Sequence, residues 1–480
     1  MSNNTATQYQ GNDKLLLGIV LGVITFWLFA QTTLNIAPTM SAELGIEATW
    51  MNIAVSITAL FSGIFIVVMG GLGDRIGRVK VTLLGVILNA VGSLLIVLSP
   101  ADTVTFLMAG RIIQGLSAAC IMPSTLALLK AYYDGVARQR AVSFWSIGSW
   151  GGSGLCSLFG GYMASNFGWR YIFWISIAIS IVSFLLIYGT PESKVEDDGK
   201  KKGFDWSGLI TFMIALVSLN VVVGQGSKLG WTNPLIMGLA GVFAVAFAAF
   251  YKIENSKDNA FVNFKIFNNK TYSGATLSNF LLNGAAGTLL VSLSLVQHAS
   301  GMSAFEAGML TIGYLVAILA TIRVGEKLLQ RWGARKPMII GCSITATGIL
   351  LLSMSFLYEW QYIIAAVIGY TLFGIGLGFY ATPSTDAALS NVPEDQVGAA
   401  AGIYKMASSL GAAFGVAISA ALYTGLMHVS NVPMAWLFVG RADNVAIRYA
   451  AAIALLFNVF MTLVAIVSIM STVPKHKAEK

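Results

Sequence analysis

Fourteen long apolar runs punctuate the chain, at about 15–39, 50–70, 81–99, 104–128, 141–164, 171–188, 206–224, 235–251, 272–297, 304–322, 338–357, 361–387, 397–425 and 446–472. Each reaches the ~17–25 residues that a helix needs to cross the hydrocarbon of a bilayer. Inside hydrocarbon each backbone N–H and C=O must be satisfied by the segment itself, which such runs achieve as helices. The expected fold is therefore an all-α polytopic membrane protein. Composition agrees, with 56% hydrophobic residues, 10% charged residues and a mean hydropathy of +0.75. A soluble domain carries roughly 25% charged residues.

The formal net charge of +8 would suit nucleic acid, but its placement excludes that partner. Of 29 Lys and Arg, six (Arg111, Arg170, Lys228, Lys405, Arg441 and Arg448) fall inside runs or in connections assigned to the outer face. The rest crowd the tails and alternate connections, around 71–80, 130–140, 194–202, 252–270 and 323–336. Positive residues stay on the cytoplasmic side of a membrane. The pattern thus predicts a multi-pass protein of the cell membrane with both termini cytoplasmic, its basic clusters also drawing anionic lipid. The first run is too long for a cleavable signal. Cys120, Cys156 and Cys342 lie in apolar runs without paired spacing, and His298, His428 and His476 are scattered. No metal site, disulfide framework or catalytic cluster is expected, so the chain does not read as an enzyme. No G-x-x-x-x-G-K-[ST] loop occurs, which removes ATP as the direct energy source and leaves no cofactor beyond a coupling ion.

Between the second and third runs stands Gly70-Gly71-Leu72-Gly73-Asp74-Arg75-Ile76-Gly77-Arg78-Val79-Lys80. Glycines allow two helix ends to approach, the bases favour the cytoplasmic side, and Asp74 suits a helix N-terminus or a guanidinium. The stretch resembles the G-x-L-x-D-R-x-G-R signature of the major facilitator superfamily, matched at Gly70, Leu72, Asp74, Arg75, Gly77 and Arg78. The resemblance implies that Asp74, Arg75 and Arg78 gate the transport cycle.

The chain also repeats itself. Met122-Pro123-Ser124-Thr125-Leu126 in the fourth run returns as Thr382-Pro383-Ser384-Thr385-Asp386 in the twelfth, and Leu72-x-x-Arg75-Ile76-Gly77 is echoed by Leu328-x-x-Arg331-Trp332-Gly333. Duplicated halves with a substrate site between them mark secondary transporters. Six runs on each side of the repeat leave two over, after the hydrophilic stretch 191–202. The organisation expected is a six-helix bundle over 1–190, a cytoplasmic linker with two inserted helices over 191–271, and a second six-helix bundle over 272–480. This layout resembles the fourteen-helix drug:proton antiporters, and implies a major facilitator fold of two pseudo-symmetric bundles plus an inserted pair.

A charge at mid-bilayer costs roughly 2.5–3.5 kcal/mol, so each one asks for a partner or a water-filled cavity. Arg111 lies about 10 Å inside the fourth run. Arg111 and Gln114 share a helix face, and Gly115 permits close packing. The trio resembles the superfamily's R-x-x-x-G element, which implies a part in proton transfer; an arginine bonded to carbonyls to lock helices is the alternative. Asp386, near the end of the twelfth run, and Lys405, about 12 Å into the thirteenth, form a second pair. Burial and the ammonium act on the carboxylate in opposite directions, which suits either proton loading or a static ion pair.

Trp27, Gln31 and Asn35 fall on one helix face, as do Asn279 and Asn283. Such residues serve as helix glue or line a cavity; the resembled fold places the first helix of each half along its cavity. Trp27, Trp145, Tyr404 and Met406 suit flat, apolar, cationic molecules through stacking and cation–π contact. In the fifth run Gly148, Gly152, Gly160 and Gly161 are expected at helix contacts. They partly resemble the antiporter signature G-x-x-x-G-P-x-x-G-G, with Cys156-Ser157 in place of its Gly-Pro. A second departure is Ala30, where fourteen-helix relatives usually carry an aspartate; the proton path then either differs from theirs or uses Asp386.

Trp27-Leu28-Phe29-Ala30-Gln31, Trp145 to Gly154 and Gly402-Ile403-Tyr404-Lys405-Met406-Ala407-Ser408 look like the Nor-type quinolone efflux pumps of Gram-positive bacteria. That resemblance implies a monomeric, proton-coupled multidrug antiporter exporting quinolones, quaternary ammonium compounds and dyes. The residues alone say secondary transporter with a partly apolar cavity. A facilitator-fold transporter of a specific metabolite is the competing function, disfavoured by the shortage of buried charges for clasping a polar substrate.

Overall fold

A computed structural model describes residues 9–194, 205–257, 260, 262–438 and 443–475. The described residues form helices and connections with no strand. Most of the expected linker (195–202), Arg441 and His476 lie outside them. Among the described residues, fourteen helical segments follow the fourteen apolar runs in order. We number them α1 Asp13–Leu44, α2 Ala48–Ile76, α3 Arg78–Val97, α4 Thr105–Tyr132, α5 (Gly135–Ser146 continued by Gly152–Asn166), α6 Arg170–Ile187 and α7 Trp206–Leu229. There follow α8 Pro234–Ser256, α9 Lys270–Ser300, α10 Glu306–Trp332, α11 Arg335–Ser353, α12 Glu359–Ser390, α13 Val397–Leu426 and α14 Val445–Thr472. Thirteen described helices are long and apolar enough to span a membrane. The exception is α5, whose halves join through a π-turn at Ile147–Gly151 and whose glycines, serines and two arginines dilute its hydropathy.

The chain falls into two compact units, residues 1–202 with 392–402 and residues 203–391 with 403–480. The inserted pair α7–α8 therefore clusters with the second unit rather than standing alone. In the first unit α4 packs on α2 and α3, and α6 on α1 and α3. Phe29, Ile36, Met40, Leu107, Trp169 and Phe173 fill part of its core. Glycines bring α3 and α4 to backbone distance: a methyl on Gly92 would lie 2.9 Å from the Gly110 carbonyl, and one on Gly110 2.6 Å from the Gly92 carbonyl. The second unit repeats this device between α11 and α12, where methyls on Gly348 and Gly369 would lie 2.6 and 2.8 Å from each other's carbonyls. The repeat read from sequence is thus also a repeat of packing geometry. Without a hydrophobic drive between helices in lipid, such small-residue contacts supply the dispersion that holds them.

Within that packing α1 is not a regular helix. It runs as an α-helix over Asp13–Ile24, widens to a π-turn at Thr25–Phe29, tightens to a 3₁₀ turn at Ala30–Thr32, and resumes with Pro38 inside its last segment. π-turns change which carbonyls a helix offers its neighbours and recur at functional sites.

Candidate transport machinery

The glycine-rich connection between α2 and α3 builds a tight polar junction within the first unit. Asp74, 4% exposed, accepts the Gly398 N–H at 3.0 and 2.9 Å and the Ala399 N–H at 3.1 Å. Those are free donors of the first turn of α13, where a carboxylate is favoured by both hydrogen bonding and the helix dipole. Gly70 makes the approach possible, because a methyl there would meet the Gly398 carbonyl. Arg78 is the hub: it pairs with Asp74 at 2.8 Å and donates to the Ser193 hydroxyl at 3.1 Å and the Glu394 carbonyl at 2.6 Å. Gly77, at φ +128°, turns the chain between the two helices. Arg75 is exposed at the last turn of α2, where a cation complements the helix C-terminus. The sequence singled out three charges here; the structure gives the network to Asp74 and Arg78.

Two members of this junction had no separate signal in the sequence. Glu192 accepts the Val79 and Lys80 N–H groups at 2.8 and 3.1 Å, capping α3 as Asp74 caps α13. Ser193 takes the Arg78 guanidinium and its carbonyl takes the Arg78 N–H. Both sit at the start of the hydrophilic stretch, where composition suggests only a solvated linker.

Arg111 is 1% exposed. Its guanidinium donates to the carbonyls of Ala54 at 2.9 Å, Ala30 at 2.8 Å and Val55 at 3.4 Å, and to Gln114 Oε1 at 2.8 Å. Every one of these acceptors is neutral. The arrangement ties α4 to α2 and to the irregular turn of α1. Gly115 lets α2 close in, since a methyl there would lie 2.6 Å from the Thr58 carbonyl. From Gln114 a chain of buried hydrogen bonds continues through Ser93, Ser176, Asn89 and Ser180, linking α4, α3 and α6.

The polar stripe of α1 leaves Trp27 and Gln31 half-buried and Asn35 exposed, with Asn35 contacting Cys156 at 3.8 Å. Trp145 is buried and donates to Thr125 at 2.9 Å, a bond that fastens α5 to α4. Gly148, Gly152 and Gly160 pack α5 on α1, with prospective methyls 3.4 Å from Val20, 3.1 Å from Trp27 and 3.0 Å from Thr32. Gly161 corrects the expectation for this helix: nothing lies within 4 Å of where its methyl would be, so it faces away from the contact.

In the second unit Asn279 is buried and donates to the Tyr404 carbonyl at 3.0 Å and Ser408 at 2.6 Å, while Asn283, half-buried, donates back to Asn279. The Tyr404 hydroxyl meets Ser384 at 2.8 Å and Thr385 at 3.4 Å. Met406 is half-buried. Asp386 and Lys405 are each 5% exposed. They follow Thr385 and Tyr404 in the chain, next to the residues whose side chains meet through the Tyr404 hydroxyl. Among the described residues no group of three His, Cys, Asp or Glu is placed to hold a metal.

The profile of the Major Facilitator Superfamily matches residues 19–266 and 275–480. The chain is 50% identical over 476 residues to quinolone resistance protein NorB of Staphylococcus aureus strain MRSA252, covering 99% of each chain, and equally so to that of strain COL. Its backbone is similar to the human organic anion transporter MFSD10 (TETRAN), with TM-score 0.59, 14% identity, and 94% and 98% of the two chains covered. It is also similar to the proton:xylose symporter XylE, with TM-score 0.62, 17% identity, and 97% and 96% covered.

Proposed function

Because the chain belongs to the major facilitator superfamily, we propose that it is a multidrug efflux transporter of the cell membrane that exports amphipathic and cationic drugs, quinolones among them, in exchange for protons. The observation that carries this reading is end-to-end identity of 50% with quinolone resistance proteins. In this reading the protein works as a monomer with both termini in the cytoplasm, and protons are its coupling ion.

The roles divide as follows. Asp74 and Arg78 form the junction that must open and close during the cycle, since alternating access proceeds by rocking of the repeats about a fixed site. Trp27, Gln31, Asn35, Asn283 and Met406, all partly accessible, offer the substrate aromatic, amide and thioether contacts. Asp386, buried at the end of α12, carries the coupling proton. Arg111 supplies a fixed positive charge beside α1.

The test is dye and quinolone efflux from cells with and without the protein, with a protonophore arm. Efflux that requires the protein and stops when the gradient collapses supports the proposal. Efflux that survives the protonophore and stops on ATP depletion rules out proton coupling. Normal drug accumulation alongside gradient-driven uptake of one metabolite favours the competing function.

A further inference from the structure

The base of the inserted pair holds two buried carboxyls that the transport reading does not use. Asp205, just before α7, and Glu254, in the last turn of α8, are each 3% exposed. Asp205 Oδ1 is fully engaged: it accepts from the Gly208 N–H at 3.0 Å, the Ser207 hydroxyl at 2.9 Å and the Lys257 ammonium at 2.5 Å. No nitrogen or hydroxyl donor reaches Asp205 Oδ2. What lies against it is the Glu254 carboxyl, bonded to Asp205 where both reach over Gly208. A methyl at Gly208 would strike both oxygens, so a glycine is what leaves room for the pair.

Two carboxyl oxygens face one another without repulsion when a hydrogen sits between them. We propose that Asp205 and Glu254 form a proton-binding site, in which Glu254 keeps its proton at neutral pH and donates it to Asp205, clasping the two ends of the inserted helices. The bonding pattern suits a neutral acid at 254. Glu254 Oε2 accepts the Val262 N–H at 2.6 Å, as a carbonyl oxygen does, and Oε1 is left as the hydroxyl that faces Asp205. Charge agrees too. One lysine faces the pair, so a single proton makes the cluster neutral, whereas none leaves a buried net negative charge. Burial pushes the Asp205 carboxyl up, but Lys257, the Gly208 N–H and Ser207 hold it at about 2, which places the proton on Glu254. The other described cations on these elements, Lys252 and Lys265, are exposed.

A carboxylic acid held neutral to donate a hydrogen bond is lost as pH rises, and its contribution to stability goes with it. The site is independent of which drug is carried. Full-length protein in lipid nanodiscs tests it by infrared spectroscopy of the protonated carboxyl stretch and by thermal unfolding across pH. Wild type is expected to show a protonated carboxyl band at neutral pH that Glu254→Gln removes. Its melting temperature is expected to fall on the alkaline side, and Glu254→Gln, whose amide reproduces both donor and acceptor, is expected to lose that fall. A band unchanged by Glu254→Gln, or the same alkaline fall in the variant, overturns the proposal. Failure of Glu254→Gln to fold at neutral pH also overturns it, because the amide mimics the protonated acid.

Discussion

The Asp74 carboxylate closes on the Gly398 N–H with both oxygens, at 3.0 and 2.9 Å, so one side chain at the end of α2 caps the first turn of α13. The same carboxylate holds Arg78, whose other nitrogens reach Ser193 and Glu394. One buried acid therefore organises three separate stretches of chain.

Asp74→Asn keeps the shape of that side chain and removes its charge. Charge-assisted hydrogen bonds contribute about 1.5–3 kcal/mol each, and a loss of ~1.4 kcal/mol is tenfold in an equilibrium. Membrane insertion and abundance should be nearly unchanged, while efflux per molecule falls about tenfold. Quantitative efflux at matched expression checks this, and unchanged turnover would return the junction to a topology signal.

Gly77→Ala should be damaging. At φ +128° a side chain is strained, and its methyl would meet the Glu192 carboxyl that caps α3. Strain of this kind costs about 1–3 kcal/mol. A lowered melting temperature of purified protein is the expected result, with Gly161→Ala, which faces open space, as the silent control.

Arg111→Lys retains the charge and loses the fork that reaches three carbonyls and Gln114 at once. Both thermal stability and efflux should drop, with efflux per folded molecule down about tenfold if the drop reflects one lost bond's worth of energy. Preserved efflux per folded molecule would assign Arg111 to helix locking alone.

Asp386→Asn is expected to abolish gradient-driven efflux while drug binding persists, measurable by fluorescence titration. A purely static pair predicts otherwise: Asp386→Asn and Lys405→Met would each destabilise the protein, and the double variant would be restored. Normal pumping by Asp386→Asn/Lys405→Met would end the coupling role.

Acid should loosen the inserted pair at its other titrating group. The Asp205 carboxyl, pushed up by burial yet held at about 2 by Lys257 and its neighbours, lies below its ordinary value. Its contribution to stability is full above about pH 4 and disappears as pH falls toward 2. Lys257→Met should remove much of that acid dependence, read as the slope of melting temperature against pH.

Hydrophobic run length alone located the fourteen helical segments, because the demand that hydrocarbon places on backbone hydrogen bonds is local and one-dimensional. Repeats in the chain likewise announced the duplicated packing, since Gly92–Gly110 and Gly348–Gly369 are the same contact made twice. The role of Asp74 as a helix cap was readable from its residue type and its glycines, but its partner was not. Gly398 is far away in sequence, and nothing local encodes which N-terminus an acid will find. Glu192 and Ser193 look like solvated linker until the fold lays them over Gly77 and Arg78. The chemistry of Trp145 and Asn279 suits a cavity lining, whereas tertiary packing buries both and engages their polar groups with Thr125, Tyr404 and Ser408. The Asp205–Glu254 clasp was invisible for the same reason. A carboxyl's protonation depends on what faces it in three dimensions, and that was decided by the hairpin that brings the two ends of α7 and α8 together.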